Sequence, residues 1–290
     1  MTKQVFIING SGGVGKDTVC SAAAQSWKVQ NISSITPILQ VAKAAGWDGT
    51  KTPAARRFLS QLKADCTEFN DLPFRYCTEQ LQIFAENDAT VAGLAESRFG
   101  STKEHDTSVM ITLGTGVGGA IIINGKPFSG AHGVGSEIGH MMIGDGWYKC
   151  NCGNTGCFET YCSATAIIKY AQKLLSEGEE SIILDICKQN ISDINAKMIF
   201  DAYNQDDEVA KKVIARFKDY LAKGIANIVN TIDPGIIAIG GGVSKSEDII
   251  LDGLKEMVRG HLVYKEEEFA DIVIATLGND AGIIGAAILG

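Results

Sequence analysis

Apolar and glycine-rich segments alternate with polar helical segments along the chain, a pattern typical of an α/β protein. Residues 4–8 (QVFII) predict a short buried strand that leads into the glycine-rich NGSGGVGKDT and then into a helix, TVCSAAAQSWKVQ. A second helix of about twenty residues is predicted around AARRFLSQLKADCTEF. The pattern changes near residue 80, where we place a boundary between a segment 1–80 and a domain 81–290.

The pattern from residue 81 onward predicts a further set of strands and helices. LQIFAENDATVAGLAESRF predicts a strand, a polar turn and a helix with Val91, Leu94 and Ala95 on its apolar positions. SVMITLGTGVGGAIIINGKPF predicts a β-hairpin turned at glycines. Helices are expected from about 163 to 226, then a strand in PGIIAIGGG. The last segment, ADIVIATLGNDAGIIGAAILG, predicts a strand and a helix rich in glycine and alanine.

Composition and charge narrow the classes of partner. The 290 residues are 45% hydrophobic, with 33 Gly and 5 Pro, which suits a globular protein with many tight turns. A net charge of −8 and no Lys/Arg stripe argue against nucleic acid as a partner, so small-molecule ligands are favoured. The N-terminal apolar run is too short for a signal peptide or a membrane span. We therefore expect a cytoplasmic protein with no membrane contact and no disulfide framework.

One cluster of cysteines has the spacing of a metal site. The stretch HMMIGDGWYKCNCGNTGCFE holds an imidazole and three thiols that together form one complete tetrahedral shell for Zn²⁺. With every position filled by protein, no place is left for a metal-bound water, so the expected zinc ion is structural. The alternative is four residues brought together by chance. The predicted ligands are His140, Cys150, Cys152 and Cys157.

The first glycine-rich loop has the spacing GxxxxGK of a phosphate-binding P-loop, and it lies between a predicted strand and a predicted helix. Gly10 and Gly15 would bring backbone N–H groups to the phosphates, while Lys16 would add a point charge. Asp17 occupies the place where a Ser or Thr hydroxyl usually meets Mg²⁺, so Thr18 is the candidate for that role. The alternative is a simple turn between strand and helix.

Two further glycine clusters follow predicted strands. Gly114, Thr115, Gly116 and Gly118 lie in the hairpin TLGTGVGG, where unobstructed backbone N–H groups can wrap a phosphate and the Thr115 hydroxyl adds a donor. Gly241 and Gly242 end the strand IIAIG, at a place where an open α/β sheet commonly accepts a nucleotide. Taken alone, each cluster is equally well explained as a tight turn.

Five segments together carry a family resemblance. ENDATVAGLAESRFG, ITLGTGVGGAIIING, GSEIGH, CNCGNTGCFE and IIAIGGGVS resemble the ROK family of bacterial sugar kinases and sugar-responsive repressors, over residues 81–290. The resemblance implies an α/β fold, the actin-like or ribonuclease H-like ATPase arrangement, with substrates bound in a cleft. It also implies ATP, Mg²⁺ and a structural zinc ion as cofactors, and a hexose as the substrate.

The resemblance assigns roles to individual residues. Asp88 would take the proton from the sugar hydroxyl, and His140 would ligate zinc through one ring nitrogen while facing the sugar with the other. Carboxylates and an amide that bind hydroxyl groups can hold a hexose in one orientation. The alternative for Asp88 is an N-cap or Asx turn before a helix that starts near Ala89. The implied sugar contacts are Asn87, Glu137, His140 and Glu159.

The chain also departs from the family. Members normally begin with a lobe that carries DxGGT, and this sequence has no such motif. Residues 1–80 instead resemble the start of a P-loop nucleotide or nucleoside kinase. The leading hypothesis is an ATP-dependent hexose kinase, glucokinase-like, which we also expect to form a homodimer. The alternatives are a sugar-binding or sensing protein without turnover and a P-loop nucleotide kinase or ATPase fused to a ROK platform.

Overall fold

The computed structural model describes residues 42–43, 59, 61–62 and 87–288. Residues Glu86–Leu289 form one compact unit, and the fold below is that of this unit. The helix predicted around residues 54–69 is helical at its described positions 59, 61 and 62. The strand predicted at residues 4–8, the helix after it and the strand before Asn87 lie outside the described residues.

A five-stranded sheet in the order β3-β2-β1-β4-β5 forms the centre of the unit. β1 pairs antiparallel with β2 and parallel with β4, and β4 pairs parallel with β5. The central strands β1 and β4 are almost continuously apolar because both of their faces are covered. The predicted hairpin and both predicted later strands are confirmed. The strands are β1 Ser108–Leu113, β2 Val117–Ile123, β3 Lys126–Pro127, β4 Ile236–Gly240 and β5 Asp271–Ile274.

Helices cover both faces of the sheet. Several of them begin where the sequence places a side-chain cap: Ser163, Asn195 and Asp207 each accept a backbone N–H of the helix that follows. The helices of the unit are α1 Asp88–Phe99, α2 Glu159–Cys162, α3 Ala164–Ser176, α4 Ile183–Ile186, α5 Ala196–Tyr203, α6 Glu208–Ile232, α7 Glu247–Leu251, α8 Leu254–His261 and α9 Ala281–Ala287, with 3₁₀ turns at Ile138–His140, Ile191–Asp193, Val243–Lys245 and Gly278–Asp280.

The helices predicted from about 163 to 226 are confirmed, with one difference. A tight turn follows α3, with Gly178 at a φ of 94°. The last of these helices, α6, extends beyond 226 to Ile232, where Asp233 takes a left-handed conformation and its N–H bonds to the carbonyl of Val229. The helix predicted to start near Ala89 begins one residue earlier, at Asp88, and its cap is Asn87.

The two faces of the sheet are packed differently. A large apolar core lies between one face and α2, α3, α5, α6 and α8, and it includes Ile111, Phe158 and Phe217. The other face packs mainly through alanines, with Met110 beside them, so α1 and α9 lie close to the strands and to each other. A side chain at Gly285 in α9 would overlap the backbone of Val91 in α1. The glycine- and alanine-rich composition of the last helix therefore reflects a close helix crossing.

A buried carboxylate ties α1 to the segment before α9. Glu96 has 0% of its surface exposed, and its two oxygens accept the backbone N–H groups of Ser101 and Leu277, both at 2.7 Å. The hydroxyls of Ser101 and Thr276 add bonds of 2.9 and 3.3 Å. A buried carboxylate that is saturated with donors in this way fixes the position of the helix on the sheet.

Candidate functional site

Two glycine loops lie at one edge of the sheet because they follow parallel neighbouring strands. Thr112 of β1 pairs with Gly240 of β4, so the turn after β1 and the turn after β4 emerge together. Gly241 has a φ of 89°, and a Cβ there would lie 2.5 Å from the carbonyl oxygen of Leu113. The contact between the two loops therefore requires glycine at position 241. The Gly114 and Gly241 loops, which the sequence places far apart, are adjacent.

The turn between β1 and β2 is tight and is braced by Glu159. The Gly114 N–H donates to the carbonyl of Gly116 at 3.0 Å. Glu159 Oε2 accepts the N–H of Val117 at 3.1 Å, and a side chain at Gly116 would overlap that carboxylate. Gly116 therefore leaves room for Glu159, whereas a Cβ at Gly114 would meet nothing within 4 Å.

Gly118 lies within β2, beyond the turn, where its lack of a side chain permits close packing. A Cβ at this position would lie 2.9 Å from the Cβ of Ala89 in α1 and 2.5 Å from the hydroxyl of Thr112. The N-terminus of α1 is thereby placed over the start of β2, beside the glycine turn. This close packing is a sufficient reason for glycine at position 118, even with no ligand bound. The predicted contact between Gly118 and a phosphate stays a prediction.

Asn87 and Asp88 begin α1 at this edge. The Ala89 N–H donates to Asn87 Oδ1 at 2.9 Å and to Asp88 Oδ1 at 2.8 Å. Asn87 is the N-cap, so the capping role considered for Asp88 belongs to its neighbour. The Asp88 side chain is exposed and projects from the helix N-terminus, where the helix dipole stabilises a carboxylate.

Glu137 joins this group through Asn87. The Asn87 amide lies 3.4 Å from Glu137 Oε1. Ser136, just before Glu137, has a φ of 67° and donates its hydroxyl to the carbonyl of Phe128 at 2.7 Å. The 3₁₀ turn that follows presses on β2 so closely that a side chain at Gly139 would overlap the carbonyl of Val117. Glu137 is therefore held at the same edge as Asp88.

The predicted metal ligands form one cluster. The ligand atoms of His140, Cys150, Cys152 and Cys157 all lie within 4.8 Å of one another. Cys150 Sγ is 3.6 Å from His140 Nδ1, and the sulfurs of Cys152 and Cys157 are 3.6 Å apart. A tetrahedral shell with Zn–S bonds of about 2.3 Å places neighbouring ligand atoms about 3.7 Å apart. The donor set and its spacing fit a four-coordinate zinc ion.

The cluster is held by a compact hairpin. The Cys150 N–H donates to the carbonyl of Asn154, and the Gly153 N–H donates to the carbonyl of Cys150, both at 2.9 Å. Gly153 and Gly156 have φ values of 95° and 80°, in the left-handed region that favours glycine, and so permit the tight turns of this hairpin. Burial raises the pKa of the Cys157 thiol to about 12. The Asn154 N–H instead lowers the pKa of the exposed Cys152 thiol, because it stabilises the thiolate.

Glu159 connects the cluster to the glycine turn. Its Oε1 lies 3.4 Å from Cys150 Sγ, while its Oε2 binds Val117. A cavity of about 60 Å³ opens beside it, large enough for a polar group or a few water molecules. The residues lining this cavity are Thr115, Tyr148, Cys150, Asn151, Glu159, Ser163, Thr165 and Lys169.

The start of α3 supports the glycine turn, a contact that the sequence interpretation missed. The Ala164 N–H donates to the carbonyl of Gly114 at 2.8 Å, and the Thr165 hydroxyl donates to the carbonyl of Thr115 at 2.7 Å. Ser163 before an apolar periodic run is a recognisable N-cap signal. The partner of that helix terminus is not visible in the sequence.

The predicted sugar-contact and metal residues are thus gathered at one edge of the sheet, near the two later glycine loops. The P-loop residues Gly10, Gly15, Lys16 and Thr18 lie outside the described residues. In the part of the chain that the structure describes, no helix is long and apolar enough to cross a membrane.

The five-stranded sheet with helices on both faces is the α/β architecture of a lobe of an actin-like ATPase. The chain belongs to the ROK family, whose family model matches residues 77–290. The family match begins close to the predicted boundary near residue 80.

The relatives of this chain include kinases and repressors. A glucokinase from Halalkalibacterium halodurans is 40% identical over 222 residues, which are 75% of this chain and 67% of that protein. A xylose repressor from Caldicellulosiruptor bescii is 28% identical over 77% of this chain and 56% of its own length. The chain thus spans between about half and two thirds of the length of these curated relatives.

Similarity to a solved structure supports the same family assignment. The ROK family glucokinase from Streptomyces griseus, in complex with glucose and AMPPNP, has 34% identity and a TM-score of 0.66. The similarity covers 73% of this chain and 70% of that one. The predicted fold class, an α/β actin-like ATPase lobe of ROK type, is confirmed.

Proposed function

We propose that this chain is an ATP-dependent hexose kinase of glucokinase type. The observation that carries the proposal is the convergence of Asp88, Asn87, Glu137 and Glu159 beside the Gly114–Gly116 turn. The 40% identity to a glucokinase and the similarity to a glucokinase solved with glucose and AMPPNP support it. Since the chain spans about two thirds of that curated glucokinase, the activity of the whole protein is part of the proposal.

The hexose is bound by groups that match its hydroxyls. Glu137 and Glu159 accept hydrogen bonds from sugar hydroxyls, and the Asn87 amide donates one and accepts one. His140 turns Nδ1 toward Cys150, so Nε2 is the nitrogen left for the sugar. These contacts fix one hydroxyl near Asp88, which is the orientation that a regioselective transfer needs.

In the transfer step, the oxygen of that hydroxyl forms a bond to the γ-phosphorus of ATP. The bond from this phosphorus to the bridging oxygen breaks, ADP leaves, and the hydroxyl proton passes to the Asp88 carboxylate. The transition state is loose, so Asp88 needs to be within reach of the proton more than it needs to be a strong base. Mg²⁺, when bound with ATP, neutralises charge on the phosphates.

The phosphates of ATP lie against the Gly114–Gly118 segment in this proposal, with the adenosine near Gly241 and Gly242. The adjacency of the two loops supports this assignment, as does the open space around Gly114. The Thr115 hydroxyl is exposed beside the turn and adds a donor. The P-loop of residues 10–18 remains an alternative phosphate site, outside the family match.

Zinc has a structural role in the proposal. Cys150, Cys152, Cys157 and His140 would fill its shell, so a bound ion would stabilise the hairpin that precedes Glu159 and fix the ring of His140. Zinc would then act on the sugar site by ordering the residues that face it.

The test is hexose binding measured by calorimetry beside an ADP-release assay, with glucose, mannose and xylose as probes. Binding of glucose with ADP release supports the kinase. The similarity to a xylose repressor favours a second candidate, a sugar-binding regulator without turnover. Sugar binding without ADP release, with zinc and ATP·Mg²⁺ present, would favour that candidate, and no binding of any of the three sugars would contradict both.

A further inference from the structure

Four aromatic rings from four different segments surround one arginine of α6. The guanidinium carbon of Arg216 lies 4.8 Å from the ring centroid of Trp147, 4.9 Å from Tyr161, 4.3 Å from Tyr170 and 5.2 Å from Tyr220. We call these five residues the Arg216 cage. Among the described residues, no carboxylate forms a salt bridge with Arg216. Its contacts there are therefore mainly cation–π interactions, which are strongest when the cation is removed from water.

The rings of the cage also contact one another and the backbone. Tyr161 stacks on Tyr220 with centroids 3.8 Å apart, and Trp147 meets Tyr170 edge to face at 5.8 Å. The Tyr161 hydroxyl accepts the N–H of Gly146 at 2.8 Å, and the Trp147 indole N–H donates to the carbonyl of Thr160 at 2.7 Å. The segment before Cys150 and the helix α2 are thus joined through the cage.

Helix α2 needs such support because it is a single turn. It has four residues, and its N-cap Phe158 makes no side-chain capping bond. A helix of this length is not stable by itself. Ordering the backbone of the first turn costs more free energy than its few hydrogen bonds contribute. Cys157, one of the four residues that could hold zinc, would anchor the start of α2 when the ion is bound. The cage anchors its other half through Tyr161, two residues after Glu159.

We propose that Arg216 is a positioning residue for Glu159: through the aromatic cage it fixes α2, and so the direction of the Glu159 carboxylate, independently of zinc. Arg216 itself lies among rings and does not contact the Glu159 side chain through any hydrogen bond or ion pair between described residues. The part of this inference that concerns the hexose rests on the proposed function.

The first measurement is amide hydrogen exchange on zinc-loaded protein, comparing wild type with Arg216→Met and Arg216→Lys. We expect Arg216→Met to speed exchange at least about tenfold at Gly146, Tyr161 and Cys162, because their hydrogen bonds depend on the cage. Arg216→Lys keeps a cation but loses the flat guanidinium, so its exchange rates should lie between those of wild type and of Arg216→Met. Lys211→Met is the matched control on α6, since the ion pairs of Lys211 within the described part of the chain are with Asp206 and Glu208 at the surface.

The second measurement separates positioning from general destabilisation. In the folded, zinc-loaded Arg216→Met variant we expect the KM for glucose to rise about tenfold, equivalent to about 1.4 kcal/mol, while kcat falls less than threefold. A purely structural role would reduce the folded fraction and the apparent kcat, and leave KM unchanged. The lysine variant should recover part of the loss in KM.

Unchanged exchange at α2 in folded Arg216→Met would overturn the inference, and so would faster exchange with an unchanged KM. A wild-type protein that neither binds nor phosphorylates glucose contradicts the proposed function instead. In that case the exchange data still decide whether Arg216 holds α2.

Discussion

The Glu159 carboxylate accepts the backbone N–H of Val117 at 3.1 Å, across 42 positions of the chain. This bond joins the start of α2 to the first residue after the glycine turn. The turn and a proposed sugar-binding carboxylate are therefore one structural unit, so a change in the turn is expected to affect sugar binding as well as phosphate binding.

Gly116→Ala should weaken hexose binding at least about tenfold, because its methyl group would overlap the Glu159 carboxylate and displace it. Isothermal titration with glucose measures this directly. Gly114→Ala is the matched control two residues away, where a Cβ meets nothing within 4 Å, and its glucose affinity should equal that of wild type. Equal losses in both variants would show that general loosening of the turn, and not Glu159, is responsible.

Asp88→Asn should reduce the kcat for hexose phosphorylation by about a thousandfold or more and leave the sugar Kd within tenfold of wild type, because an amide cannot accept the proton. The amide oxygen can still accept the Ala89 N–H, so the start of α1 is preserved. Single-turnover kinetics at saturating ATP measures the chemical step. Turnover close to wild type would remove Asp88 from the mechanism.

Glu96→Ala should lower the free energy of unfolding by about 2–4 kcal/mol, because the N–H groups of Ser101 and Leu277 lose a charged acceptor in a buried position. Urea unfolding followed by circular dichroism measures the change. Glu104→Ala, at an exposed position beyond the same helix, serves as the control and should change stability by less than about 0.5 kcal/mol. A loss below 1 kcal/mol for Glu96→Ala would contradict the bridging role.

Elemental analysis should find one zinc ion per chain, and Cys152→Ser should abolish it. The same variant should lower the melting temperature and increase proteolysis between residues 144 and 159, because the hairpin loses its cross-link. Cys187→Ala, at a buried cysteine outside the cluster, should retain the metal. Zinc in the Cys152→Ser protein at the wild-type level would rule out the four-residue site.

Lys16→Ala separates the two candidate phosphate loops. We expect hexose phosphorylation to change less than threefold, because the proposed ATP site lies at Gly114–Gly118 and Gly241. The KM for ATP is the quantity to compare, with Lys3→Ala as a control near the same end of the chain. A large rise in that KM for Lys16→Ala alone would assign the phosphates to the N-terminal loop.

The sequence predicts the order of elements from Asn87 onward because each signal is local. Alternation and apolar runs mark β1, β2, β4 and β5, and glycines mark the turns between them. The four metal-cluster residues are also predictable, since three of them lie within eight positions of one another. Their roles as ligands, and those of the sugar-contact residues, stay predictions.

Other features depend on contacts that no local pattern contains. The sequence suggests that Gly116 and Gly118 expose N–H groups to a phosphate, whereas the structure gives each a packing reason, Glu159 in one case and Ala89 in the other. The Arg216 cage gathers rings spread over more than seventy positions. Such contacts become visible only when the register of β1 and β4 and the packing of α6 are known.

The close crossing of α1 and α9 has a consequence for the order of folding during synthesis. Gly285 rests on the backbone of Val91, so the helix that begins with Asp88 is completed by a segment almost two hundred positions later in the chain. Contacts between residues that are far apart in the sequence form late and slow the folding of a domain. We expect the nascent chain to hold α1 only loosely until α9 has left the ribosome.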